Sequence, residues 1–122
     1  MAMLKFTPGA GHFVLSEANG NRSRQRIVVG PNQNLLAGQV ISKVTGSEAY
    51  VALDPDATDG SQTAAGILYD DVETDTEAKA AVSFERDCEV VLAKLVWPDG
   101  ITEIQKTAAI AALSAKGIHA RF

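Results

Sequence analysis

The sequence is poor in the residues that build disulfides, metal sites and stacked aromatic surfaces. Its 122 residues include one cysteine and only four Phe, two Tyr and one Trp. A single cysteine, Cys88, excludes an internal disulfide and a cysteine-based zinc set. Because it adjoins an apolar run, we interpret it as a small buried residue rather than a nucleophile. A lone cysteine also fits a protein made in a reducing cytoplasm.

Long apolar runs are also lacking. No stretch approaches the roughly 20 apolar residues that span a bilayer, and residues 1–10 lack the apolar region of a signal peptide. We therefore expect a soluble protein. The net charge of −4 is too mild to argue for nucleic acid or membrane as a partner. A chain of this length is expected to form one domain with its own core.

Charge is unevenly distributed along the chain. Residues 1–30 hold four cations and one acid: Lys5, Arg22, Arg24 and Arg26 against Glu17. Residues 54–77 hold only acids: Asp54, Asp56, Asp59, Asp70, Asp71, Glu73, Asp75 and Glu77. Two interpretations stay open, namely two solvated loops or a basic arm that meets an acidic partner surface.

The chain divides into an arm and a β-rich domain. Residues 1–30 are predicted to form an N-terminal arm with a possible hairpin, because Pro8 and Gly9 interrupt its start and Asn19-Gly20 signals a turn. Residues 31–122 are predicted to form the domain. Apolar runs between turn signals predict short strands at 13–16, 25–30, 39–44, 48–53, 64–72, 77–86 and 88–97. Gly38 predicts a tight turn or bulge before one of them.

One helix is predicted near 102–116. Pro98 ends the preceding strand, Thr102 to Gln105 fit a capping box, and Gly117 suits the position after the helix. The face predicted to pack consists of Ile101, Ile104, Ala108, Ala111 and Ala115, widened by Ile110 and Leu113. The predicted fold class is therefore mainly β, a sandwich or barrel of short strands with one C-terminal helix packed on it.

The sequence predicts no active site, metal or cofactor. The segment "GAG" at 9–11 follows no strand and is a poor phosphate loop. A calcium loop starting at Asp54 would need an acid at its twelfth position, which is Ala65. His12 and His119 have no carboxylate or cysteine at ligand spacing.

A set of short motifs lies in a fixed order across residues 50–116. "DATDGSQTAAGILYDDV" contains a Thr-Asp-Gly loop at 58–60 and Ala-Gly-Ile-Leu at 65–68. A β segment follows, then "VLAKLVWPDG" with Leu-Val-Trp-Pro at 95–98, then the helix. This order and spacing resemble the head decoration protein D family of bacteriophage lambda.

The resemblance implies a structural capsid protein without catalysis, folded as a β pseudo-barrel with a packed helix. It implies a homotrimer on the outer surface of the expanded, DNA-filled head at local three-fold positions. There it would hold neighbouring copies of the major capsid protein together. The implied location is the virion, after synthesis in the host cytoplasm, with no direct contact to nucleic acid or membrane.

Two sets of candidate residues follow. Apolar and basic groups of the arm are hypothesised to bind the capsid: Leu4, Phe6, Phe13, Val14, Leu15, Arg22, Arg24 and Arg26. Residues at the end of the last strand and on the helix are hypothesised to pack within the fold or the trimer: Trp97, Pro98, Ile104, Ala108 and Ala111.

Three alternatives stay open. One is another phage structural or binding module, from a tail or baseplate, with no catalysis. A small hydrolase would need a pocket with paired His and carboxylate groups. A nucleic-acid binder would depend on Arg22, Arg24 and Arg26, yet no aromatic residue lies among them to stack bases.

Overall fold

The computed structural model describes residues 9–121. Within this range the chain forms short strands, one turn of 3-10 helix at Leu92–Lys94 and an α-helix near the end. The strands are β1 (Val14–Glu17), β2 (Arg24–Val29), β3 (Asn34–Leu35), β4 (Val40–Lys43), β5 (Ala49–Ala52), β6 (Gly66–Leu68), β7 (Val72–Glu73), β8 (Lys79–Phe84), β9 (Cys88–Val91) and β10 (Ile118–Arg121), and the helix is α1 (Glu103–Ala115). The predicted fold class, mainly β with one C-terminal helix, is confirmed.

Five strands close into a small barrel in the order β2, β5, β4, β6 and β8. β2 and β8 pair antiparallel along the whole of β2, from Arg24 opposite Phe84 to Val29 opposite Lys79. β2 and β5 are parallel and pair only at Val28 and Val29. Because side chains alternate across a strand, one apolar cluster fills the barrel interior. Its buried members are Ile27, Val29, Leu35, Ile41 and Leu68.

A second core joins the barrel to a three-stranded sheet in the order β1, β9, β10. In this core Phe13 and Phe84 meet edge to face, with ring centroids 5.6 Å apart. Leu113 of α1 and Ile118 of β10 belong to the same cluster, together with Val40, which faces outward from the barrel. The sheet and the helix therefore cover one outer side of the barrel.

Helix α1 begins at the capping box that the sequence predicts. The backbone N–H of Gln105 donates to the Thr102 hydroxyl oxygen at 3.1 Å, and the Thr102 N–H donates to the Gln105 side-chain oxygen at 3.0 Å. The helix ends at Ala115, Lys116 is its C-cap, and Gly117 follows with φ +83°. In this left-handed conformation glycine carries no Cβ penalty.

The helix packs on the core through the edge of the predicted face, at Leu113, and not through its centre. Ala109 and Leu113 are its buried residues, whereas Ile104 is 83% exposed and Ala108 and Ala111 are exposed. At about 100° per residue, these three exposed positions lie about half a turn away from the buried pair. The prediction that they pack within the fold is therefore wrong, and their predicted role in trimer packing stays a prediction.

The arm and hairpin predicted for residues 1–30 do not match the structure over residues 13–29. β1 pairs with β9, and β2 pairs with β8 and β5, so the two segments do not form a hairpin with each other. Phe13 has 0% exposure in the second core. The boundary at residue 30 therefore falls inside the folded domain.

The apolar run 88–97 is not one strand. β9 ends at Val91, a turn of 3-10 helix follows, and Val96 then forms an isolated bridge with Gln39. Gly38, at φ +87°, makes the predicted tight turn beside this bridge. After the helix, Ile118–Arg121 forms β10, which is parallel to β9 and which the sequence did not predict.

Replacing Phe13 tests whether this residue is core rather than arm. Phe13→Ala should lower the free energy of unfolding by about 3–5 kcal/mol, because it empties a fully buried site. Leu15→Ala, only two residues away but 56% exposed, should change it by no more than about 0.5 kcal/mol. Urea unfolding measures both, and equal effects would contradict the assignment of Phe13 to the core.

Candidate functional site

The apolar residues predicted to bind the capsid separate into three groups. Leu4 and Phe6 lie outside the described residues. Phe13 is fully buried and Val14 packs against the same core, so neither offers a free contact surface. Leu15 is 56% exposed. Of the predicted apolar contacts in the described chain, only Leu15 is therefore available to a partner.

Arg24 is engaged within the fold rather than free. Its guanidinium donates to both carboxylate oxygens of Glu17, at 2.8 and 3.1 Å. It also lies 4.6 Å from the centre of the Tyr69 ring, in the geometry of a cation–π contact. This residue connects β1, β2 and the second core, so its predicted contact with the capsid would require breaking internal contacts.

Arg22 and Arg26 differ in whether their charge is paired within the fold. Arg22 pairs with Asp87 at 3.0 Å, although its side chain is 71% exposed. Arg26 is exposed and belongs to none of the ion pairs found within residues 9–121. Of the three predicted basic contacts, Arg26 has the charge most available to a partner.

The outer helix face, defined as Ile104, Ala108 and Ala111, is the most apolar exposed part of α1. Ile104 is 83% exposed, the highest among the large hydrophobic residues that the structure leaves exposed. Three residues on one side of a capped helix give a rigid contact area, and the small alanines allow a partner to approach closely. The structure therefore brings these three predicted residues together on one surface.

Trp97 and Pro98 lie away from the outer helix face. Both are half-buried, and Trp97 packs against the second core. The Lys106 ammonium lies 5.5 Å from the centre of the Trp97 ring. Trp97 therefore connects the segment before the helix to the helix itself, which agrees with a role in packing the fold.

A basic cleft lies beside β2 that the sequence did not predict. It has a volume of about 460 Å³, and Arg26, Val28, Lys43 and Arg86 are among its lining residues. Arg86 lies two residues after the end of β8, and Lys43 is the last residue of β4. No sequence signal joins these positions, because only the closure of the barrel brings them together.

A buried carboxylate forms one wall of the basic cleft. Glu85 is 8% exposed and accepts hydrogen bonds from the Tyr50 hydroxyl at 2.6 Å and the Ser83 hydroxyl at 2.9 Å. Lys116 lies 3.8 Å away. Burial and the hydrogen bond to Glu85 raise the pKa of Tyr50. Because Glu85 is satisfied within the chain, it fixes the wall of the cleft.

Cys88 is a core residue, as predicted. It is 4% exposed and belongs to the second core. Burial raises the pKa of its thiol to about 11. Since the thiolate is the reactive form of cysteine, Cys88 is poorly suited to act as a nucleophile at neutral pH.

Residues 9–121 contain neither a candidate metal cluster nor a helix able to span a membrane. In this range no group of three or more His, Cys, Asp and Glu side chains is placed to hold a metal ion. None of the helical segments in the same range has the length and apolar character needed to cross a bilayer.

The fold and its surfaces define a strand-rich protein with an apolar helix face and a basic cleft available for contacts. The family model of bacteriophage lambda head decoration protein D matches residues 3–118. The chain therefore belongs to the lambda head decoration protein D family, as its motifs suggested. A comparison with curated proteins found no match. Membership identifies a phage structural protein associated with the capsid.

Arg24 and Arg26 should differ in their effect on stability. Arg24→Ala should lower the free energy of unfolding by about 1 kcal/mol, because it removes a partly buried ion pair and a ring contact. Arg26→Ala should change it by less than about 0.5 kcal/mol. Urea unfolding of the two variants gives the comparison, and a larger loss for Arg26→Ala would contradict this division.

Proposed function

We propose that this protein binds as a homotrimer to the outer surface of the expanded phage head, at local three-fold positions. There it holds neighbouring copies of the major capsid protein together against the pressure of packaged DNA. The observation that carries this proposal is the family match over residues 3–118. The role is mechanical, and it requires contact surfaces rather than a reaction.

Three-fold symmetry gives weak contacts a large combined effect. A ring presents three copies of each contact to one position on the head, so that the second and third contacts form at a high effective concentration. Each copy can therefore use a small surface. This agrees with the scattered exposed apolar residues Leu15, Val28, Leu36 and Ile104.

Residues 1–8 are proposed to supply the capsid anchor, through Leu4 and Phe6. An extended segment can add a strand to an exposed sheet edge of another protein and place its side chains in pockets there. Since Phe13 belongs to the core, this anchor must end before it. Leu15 is proposed as a capsid contact on the folded domain, because it is exposed.

The outer helix face is proposed to pack between copies in the trimer. Near a three-fold axis, equivalent residues of the three copies pack against one another. Small alanine side chains permit the close approach that this packing needs. Burying Ile104 in this way would remove its apolar side chain from water. Trp97 and Pro98 would support this face from within each copy.

Removing the proposed anchor separates folding from head binding. We expect the variant lacking residues 2–8 to keep the free energy of unfolding of the full chain, since the buried core residues among 9–121 begin at Phe13. It should lose most of its binding to expanded heads that lack a decoration protein, measured by co-sedimentation. If it binds such heads as tightly as the full chain, the anchor lies on the folded domain instead.

Ala111→Glu tests the outer helix face. Its free energy of unfolding should stay within about 0.5 kcal/mol, because the position is exposed in the single copy. Trimer formation, in solution or on heads, should be strongly weakened, because the change buries an unpaired charge between copies. Ser114→Glu, exposed on the side of the same helix, serves as the control. Equal trimer formation by the two variants would exclude this face from the trimer contact.

A further inference from the structure

The basic cleft lies beside a part of the barrel in which β2 is paired on one side only. β2 pairs with β5 only at Val28 and Val29, so its first four residues have β8 as their one strand partner in the barrel. The cleft lies beside this open part of β2. Val28, at its edge, is 43% exposed. The cleft thus combines an apolar side chain with surrounding cations. Protein–protein interfaces have a similar composition, with an apolar centre and a polar rim.

Two guanidinium groups of the cleft have no carboxylate partner within residues 9–121. Arg26 makes no ion pair there. Arg86 donates to the carbonyl oxygen of Arg22 and to the side-chain oxygen of Gln25, both at 2.9 Å, which orients it without neutralising it. Guanidinium groups bind carboxylates through paired hydrogen bonds, so an acidic ligand fits this cleft.

The chain itself carries an acidic segment, defined as residues 70–77. It contains five acids and no Lys or Arg: Asp70, Asp71, Glu73, Asp75 and Glu77. All five are exposed, and none belongs to an ion pair in the part of the chain that the structure describes. Leu36, 49% exposed, follows β3, the strand that pairs with β7 in this segment.

The acidic segment is held in place by backbone contacts. The buried Thr74 hydroxyl donates to the Gly30 carbonyl oxygen at 2.6 Å. The Thr74 N–H donates to the Gln33 carbonyl oxygen at 2.8 Å, and the Asn32 N–H donates to the Asp75 carbonyl oxygen at 2.7 Å. Its carboxylates are therefore presented on a fixed frame, which lowers the entropy cost of docking.

We propose that the acidic segment of one copy docks against the basic cleft of the next copy. The inference deepens the proposed function, since it assigns a seam to the proposed trimer. The cleft and the segment share no residue, so within a three-fold ring each copy offers its cleft to one neighbour and its acidic segment to the other, which is a head-to-tail contact. Repeated contacts of this type close into a ring when the rotation allows it. The outer helix faces of the three copies would then meet near the three-fold axis. The charged contacts would connect neighbouring copies around that axis.

A second copy fits the cleft better than nucleic acid does. The chain has a net charge of −4, which opposes a polyanion at long range. Glu48 and Glu85 also line the cleft. A folded segment can place its carboxylates against Arg26 and Arg86 while avoiding these two acids, whereas a phosphate backbone repeats its charge along its whole length.

Charge reversal tests the contact in the full chain. Arg26→Glu alone, and Asp75→Lys with Glu77→Lys, should each weaken self-association by at least about tenfold, because each places like charges together. Combining the three changes should restore most of the lost affinity. Asp99→Lys, at an exposed acid outside the segment, should alter it by no more than about twofold. Analytical ultracentrifugation over a concentration series measures these values.

Cross-linking tests the same contact between copies even when the ring forms only on heads. The full chain with Arg26→Cys and Asp75→Cys, treated with a short bismaleimide in solution and on expanded heads, should give covalent trimers. Each single variant should not. Cys88 stays unlabelled, because it is buried.

The outcomes separate this inference from the proposed function. No restoration by the combined charge reversal, together with no cross-linked trimers in solution or on heads, would overturn the seam even where the protein binds heads well. Restoration and cross-linked trimers in a protein that fails to bind heads would support the seam and overturn the proposed function. Open polymers in place of trimers would overturn the ring.

Discussion

The rest of the structure depends on the core shared by the barrel and the three-stranded sheet. Phe13 and Phe84 meet there edge to face, at an interplanar angle of 88°. Neither layer is large enough to bury its apolar face alone, since β1, β9 and β10 have four residues each. Joining them buries both faces at once, and Leu113 attaches the helix to the same cluster. A change in this core therefore acts on the barrel, the sheet and the helix together.

The same core decides which surfaces remain for partners. With Ala109 and Leu113 directed inward, the opposite side of α1 must face outward, and Ile104 is exposed as a consequence. Closure of the barrel brings Arg26, Lys43 and Arg86 to one cleft. The contact surfaces are thus fixed by the packing of the interior, and they are rigid because that interior is close-packed. A rigid surface suits the proposed role of holding neighbouring capsid proteins in position.

The sequence predicted the features that depend on local chemistry. The capping box at Thr102, the turn at Gly38 and the strand-rich class all follow from short-range rules, and the motifs of residues 50–116 identified the family. The helix phase could not be predicted, because alanines on every side leave little contrast between its faces. The burial of Phe13 could not be predicted, because this residue lies in the turn before β1 and the partner of β1, strand β9, is distant in sequence. The basic cleft was missed because it joins positions that only barrel closure brings together.

We propose that this fold acts as a trimeric clamp on the head surface. Cryo-electron microscopy of expanded heads decorated with the full chain tests it most directly. The account predicts three copies around each local three-fold position on the outer surface, with the outer helix face covered by neighbouring copies. Single copies bound away from those positions, or trimers with the outer helix face open to solvent, would contradict it.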